Sequence, residues 1–113
     1  MADDCLFCRI VAGEIAVPIV AQNEYAVAFR DMHPQAPVHV LIVPRRHLGS
    51  VLDGSDLVEL GALTALASEV ARAEGLAPDG FRIVTNTGPN GGQTVLHLHM
   101  HVLGGRSMKW PPG

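Results

Sequence analysis

Apolar and polar positions alternate most strictly in residues 94–103, where Leu98, Met100 and Val102 stand between His97, His99 and His101. A period of two marks a half-buried strand. Residues two apart on a strand share a face, roughly 6.6 Å apart. The pattern therefore predicts a row of three imidazoles on one face and apolar side chains turned into a core on the other. The rest of the chain falls into elements around that strand. Residues 5–12 read as a short helix with Phe7, Ile10 and Val11 on its apolar side, closed by Gly13. Residues 19–21 and 25–29 read as a hairpin about the turn 22–24. Pro34 and Pro37 keep residues 32–37 out of a central strand. Residues 38–43 are apolar and β-branched, a buried strand ended by Pro44, with His39 as its one polar member. A buried polar group needs a partner, and the histidine row is the candidate.

A helix follows, capped by Asp56, with Glu59 three residues on, or by Ser55, and running to Glu74. Leu57, Leu60, Leu63, Ala67, Val70 and Ala71 form its stripe. Val58, Ala62, Ala65 and Leu66 lie off the stripe and are apolar too, which predicts a helix covered on more than one side and hence self-association. Gly75 is placed to end it. Residues 80–86 read as another strand. The glycine-rich stretch 87–93 reads as a loop that lets backbone N–H groups approach an anion. In the irregular tail, Trp110 is expected to pack on the core or on a partner subunit.

Composition narrows the function. A chain of 113 residues, 48% of them hydrophobic, fits a single domain, residues 1–113. The net charge of −3 comes with no basic run, so nucleic acid is not an expected partner. No apolar stretch is long enough to span a membrane, and no signal-peptide pattern follows the acidic start, so the expected location is the cytoplasm.

Half of the six histidines lie in the one row. A solvated face has no use for three titratable rings in register. Imidazole serves as base, acid, nucleophile or metal ligand, and the row reads as either a catalytic row or a metal site. Cys5 and Cys8, in the spacing Cys-x-x-Cys, are the only cysteines. In a reducing compartment they read as half of a zinc site awaiting two more ligands, or as two ordinary half-buried cysteines.

His97-Leu98-His99-Met100-His101-Val102-Leu103 resembles the signature of the histidine triad family, His-φ-His-φ-His-φ-φ. Residues 31–37, Pro44 to His47, Gly91 to Val95, and the ending from Gly104 through Trp110, Pro111 and Pro112 to Gly113 extend the likeness to the family's nucleotide-binding Hint branch. The resemblance implies an α+β fold: a five-stranded antiparallel sheet with one long helix and a short N-terminal helix, paired into a homodimer with a continuous sheet. It implies a hydrolase that cleaves purine nucleoside 5′-phosphoramidates at the P–N bond, and acyl-adenylates, releasing a nucleoside monophosphate. By that likeness His99 is the nucleophile and forms a nucleotidyl-histidine, His101 donates to the phosphate with support from His39, and His97 completes the triad. Asn86, Thr94 and the Gly92 backbone hold phosphate oxygens and the leaving group, with Val95 beside them. Asp31 accepts from the ribose hydroxyls, Phe7, Ile10, Phe29 and Met32 line the base pocket, and Trp110 reaches the partner subunit's site. Thr94 stands where many members carry Ser, and its stiffer χ1 narrows the hydroxyl's positions. Zinc-bearing members of the wider family hold the metal in a set that maps to Cys5, Cys8, His47 and His97, which implies a structural zinc and none needed for the chemistry. Three other readings compete. One is dinucleoside polyphosphate hydrolysis of the Fhit type, which the Trp-Pro-Pro-Gly ending disfavours. One is a catalytic metal activating water. The last is a nucleotide-binding interaction module in which hydrolysis is incidental.

Overall fold

The computed structural model describes residues 4–54 and 56–113. The elements are α1 (Leu6–Val11), β1 (Ile19–Gln22), β2 (Ala26–Arg30), β3 (Val38–Pro44), α2 (Leu57–Ala73), β4 (Phe81–Val84), α3 (Gly88–Gly91) and β5 (Met100–Gly104). The strands form one antiparallel sheet in the order β1-β2-β3-β5-β4.

Strand alternation decides what each face carries. Ala26 and Ala28 of β2, Val40 and Ile42 of β3, and Met100 and Val102 of β5 pack under α2 against Leu63, Leu66, Ala67, Val70 and Ala71. Val27, Phe29, Leu41 and Val43 point the other way and meet Phe7 and Ile10 of α1. β3 is central and covered on both faces, which explains its unbroken apolar run. The same alternation puts His39 and His101 on the α1 face. In the β3–β5 register Leu41 pairs with His101 and His39 with Leu103. His39 and His101 are therefore diagonal neighbours, close enough for their rings to meet.

The local predictions hold at the turns and caps. The Asn23 side chain accepts from the N–H groups of Tyr25 and Ala26, closing the β1–β2 hairpin as an Asx turn. Asp56 caps α2, accepting from the Glu59 N–H at 2.7 Å; Ser55, the alternative cap, lies outside the described residues. Glu59 does not return the bond as a capping box would. Its carboxylate takes both arms of the Arg46 guanidinium, at 3.1 and 2.5 Å, which holds it below the usual carboxylate range. The basic corner after β3 is thereby fastened to the start of α2. Gly75 follows the helix at φ +76°, where a side chain would be strained.

Three expectations need correction. The histidine stretch is not one long strand: β5 begins only at Met100. Upstream, the Leu98 N–H bonds the Leu48 carbonyl at 2.6 Å and the His97 carbonyl meets the His99 ring, so those groups leave the sheet ladder. Leu98 still packs under α2, while Leu96 is exposed. The stripe of α2 is also displaced. Leu66 is fully buried, and Leu57, at 89% exposure, lies outside the core. Leu57, Val58 and Ala65 face outward and are uncovered among the described residues. Finally, the glycine-rich stretch contains the single helical turn α3.

Candidate active site and metal-ligand cluster

The site forms where the irregular stretch before β5 passes between α1 and the end of β3. His99 is buried, and its environment fixes its tautomer. Its Nδ1 lies 2.7 Å from the carbonyl oxygen of His97. A carbonyl can only accept, so Nδ1 carries the proton and Nε2 holds a free lone pair. The Thr85 hydroxyl donates to the His99 carbonyl at 2.8 Å and pins the backbone. The Phe7 ring stands edge-on to His99, centroids 5.1 Å apart, and His101 lies 4.9 Å away on the other side.

His101 belongs to a polar relay. The Gln35 N–H donates to His39 Nδ1 at 3.0 Å. That nitrogen must accept, so neutral His39 carries its proton on Nε2. From there it donates to His101 Nδ1 at 2.8 Å, which leaves His101 with its own N–H on Nε2. Asp31 Oδ2 lies 3.5 Å from His39 Nε2. Burial, then the neighbouring His99 and His39, press the His101 pKa down to about 4, with Asp31 opposing. Burial lowers that of His39, again against Asp31. Both rings are neutral at pH 7. Asp31, His39 and His101 lie within 4.8 Å of one another, yet they do not make a metal site. His39 cannot offer the Nε2 lone pair without losing its remaining proton.

On the other side of His99 the lone pairs converge. His97 is fully buried, and its Nε2 donates to the Pro44 carbonyl at 3.0 Å, so Nδ1 is unprotonated. Burial keeps it so, with a pKa lowered to about 4. That nitrogen lies 3.4 Å from Cys5 Sγ, 3.5 Å from Cys8 Sγ and 3.2 Å from His47 Nδ1; Cys8 Sγ is 3.1 Å from His47 Nδ1. A tetrahedral zinc with ordinary bond lengths would set nitrogen–nitrogen edges of about 3.3 Å and nitrogen–sulfur edges of about 3.6 Å. The donor set and its spacing fit zinc. The Pro44 carbonyl supplies the outer hydrogen bond that metal-bound imidazoles usually make.

A cleft of about 530 Å³ opens on the α1 face. Its lining includes Phe7, Ile10, Phe29, Asp31, Met32, His39, Thr94, Val95 and His101. This volume suits a small ligand. At one end Asp31 turns toward the polar relay, its Oδ1 also accepting from the His33 N–H at 2.7 Å. The expected base-pocket residues do come together here. Leu6, Val17 and Leu41, which line it too, were not anticipated: their alternation marks them only as apolar. Nor could the sequence reveal the Pro44 carbonyl or the Gln35 N–H, because every residue but proline carries both groups. Asn86 and Gly92 are not part of the cleft lining. Trp110 is 82% exposed and is not part of the cleft lining.

A family model described as HIT domain matches residues 12–108. The chain belongs to the histidine triad (HIT) family. Among the relatives of this HIT protein is a purine nucleoside phosphoramidase of Escherichia coli K12. It is 44% identical over 110 residues, covering 96% of this chain and 92% of the relative. A 14 kDa zinc-binding protein of Zea mays is 46% identical over 114 residues, covering 96% and 87%. A HIT family hydrolase of Legionella pneumophila superposes with a TM-score of 0.93 at 46% identity, covering 97% of this chain and 100% of that one. The fold is thus the α+β HIT fold, shared with HIT family hydrolases of Legionella pneumophila and Clostridium thermocellum. Among the described residues, no helix of this HIT chain is long and apolar enough to cross a membrane.

Proposed function

We propose that this chain hydrolyses purine nucleoside 5′-phosphoramidates through a covalent nucleotidyl-histidine on His99. One observation carries the reading: the His99 Nδ1 proton is committed to a carbonyl, so the Nε2 lone pair stands ready beside a second imidazole that can only donate. Nε2 attacks the α-phosphorus as the P–N bond breaks, and the departing nitrogen takes a proton from solvent and leaves as the amine. Water then attacks the same phosphorus, returns a proton to solvent, releases the nucleoside monophosphate and restores neutral His99. Covalent catalysis divides one hard displacement into two easier ones. The His101 Nε2–H donates to the phosphoryl oxygens, where charge gathers in both steps.

The remaining assignments follow the family resemblance and the cleft. Asp31 takes the ribose hydroxyls, as a carboxylate does well. Phe7, Ile10, Phe29 and Met32 hold the base. By the resemblance Thr94, Val95, Asn86 and the Gly92 backbone serve the phosphate and leaving group, where acyl-adenylates also fit. Cys5, Cys8, His47 and His97 hold a structural zinc, which fixes α1 and the His97 ring and takes no part in bond breaking. The working form is a cytoplasmic homodimer with Trp110 reaching the partner's cleft; the outward Leu57 and Val58 support a partner on α2.

The test is AMP release from adenosine 5′-phosphoramidate, with a diadenosine polyphosphate alongside and His99→Ala as control. The proposal expects release from the phosphoramidate, lost by at least about 10⁴-fold in the variant. Preference for the dinucleotide would assign the chain to the Fhit type. No release from either would leave a nucleotide-binding module.

A further inference from the structure

We infer that Arg106 is a positioning residue that sets the tautomers of the His39–His101 relay by clamping the Gln35 main chain. This rests on the role proposed for His101. Arg106 lies on the tail just beyond β5, exposed and outside the cleft lining. Its Nε and Nη2 both donate to the Gln35 carbonyl, at 3.2 and 3.0 Å, and its Nη1 to the Ser107 carbonyl at 3.1 Å. The tail comes this close because Gly105 has no side chain. Its φ is +91°, and a Cβ there would lie 2.8 Å from Pro37 Cβ.

Gln35 is the residue whose N–H meets His39 Nδ1. The Gln35 carbonyl and N–H lie in neighbouring peptide planes that meet at one Cα, so holding the carbonyl anchors residue 35 and narrows the swing of its N–H. The consequence runs along the relay. With the Gln35 N–H in place, His39 must donate from Nε2, and His101 must present an N–H from its own Nε2. If that N–H swings away, His39 can carry its proton on Nδ1 instead. The bond between the rings then reverses, with His101 donating from Nδ1. Its Nε2 would present a lone pair to the phosphate oxygens, which repel it. Arg106 touches neither substrate nor the reacting atoms, yet it selects the tautomer in which His101 can act.

The test uses the full-length protein with its metal. Arg106→Met keeps the aliphatic stem and removes the fork. Imidazole nitrogen-15 spectra without substrate should show a second tautomer at His39 and His101, and kcat should fall roughly tenfold, the worth of one well-placed hydrogen bond, with KM little changed. Arg106→Lys, which can still donate to the Gln35 carbonyl, should recover most of both signals. Arg82→Ala is the control: it frees the tail at the Lys109 carbonyl, which Arg82 holds at 2.9 Å, without touching Gln35. It should leave the tautomers unchanged. Wild-type tautomers in Arg106→Met, or the same change in Arg82→Ala, would overturn the inference. A tautomer change in a protein whose wild type releases no AMP would uphold the clamp and reject the function proposed for it.

Discussion

Two buried imidazoles, His97 and His39, are each held by the main chain, in opposite senses. His97 donates its Nε2 proton to the Pro44 carbonyl. His39 receives the Gln35 N–H on Nδ1. One ring is left with a lone pair turned toward two thiols and a second imidazole. The other is left with a proton turned toward His101. Both clusters gather their donor atoms within 4.8 Å. The donors of the first fit a metal and the second is a proton-ordered relay, and what separates them is one backbone group each. Residue type and distance do not tell a metal site from a catalytic one; the partner of the outer nitrogen does.

The sharpest way to break this comparison is to remove one ring from each side. His101→Ala takes away the Nε2–H proposed to donate to the phosphate and should lower kcat about 10²–10³-fold, as loss of a charge-stabilising donor does. His47→Ala removes a ligand from the other cluster and should leave kcat within roughly tenfold, provided turnover is measured where the variant is still folded. Equal losses would mean that the metal-ligand side takes part in the chemistry.

Metal content separates the sides next. Elemental analysis should find one zinc per chain in the wild type, none in the Cys5→Ser/Cys8→Ser double variant, and one in His39→Ala. Stripping the metal should cost roughly 3 kcal/mol or more and lower Tm by at least about 10 °C, because α1 is a six-residue helix that few bonds hold otherwise. Two zinc ions per wild-type chain would refute the claim that the His39 proton closes the second cluster to metals.

The difference between the sides also marks what could be read from the sequence. The four candidate ligands were visible as residue types with a family precedent, and the sheet order now shows why they meet: α1 lies over the end of β3, where Pro44 leads into His47. His39 stood out as the one polar residue of a buried strand, which foretold a partner in the histidine row, but not that both would lie on the α1 face. The tautomers of His97 and His39 were not visible. They depend on the Pro44 and Gln35 main-chain groups, which no side chain advertises. The false extension of the histidine strand has a similar origin. Alternation does foretell that Leu98, Met100 and Val102 reach the core, but not that the Leu98 N–H bonds Leu48 instead of a strand. Leu57 misled for another reason: spacing places a residue on a stripe, but the first turn of α2 projects past the sheet that covers the rest.

Acid provides the smallest and most specific test of the relay. Burial lowers the His101 pKa from the ordinary 6.5 to about 4, and that of His39 moves the same way. In the folded chain these rings therefore bind fewer protons than in the unfolded one across the window from about pH 4 to 6.5. Stability must rise with pH through that window, and these two rings add no slope above it. Acidification from pH 6.5 should thus lower Tm progressively. Metal ligands released by acid would give a slope of the same sign, so the measurement belongs in the Cys5→Ser/Cys8→Ser background, with and without His101→Leu. If the relay is held neutral by burial, replacing His101 should flatten the slope between pH 6.5 and 4. An unchanged slope would show that His101 gains its proton at no cost to the fold, and the relay would then lose its claim to a fixed tautomer at the acid end of the range.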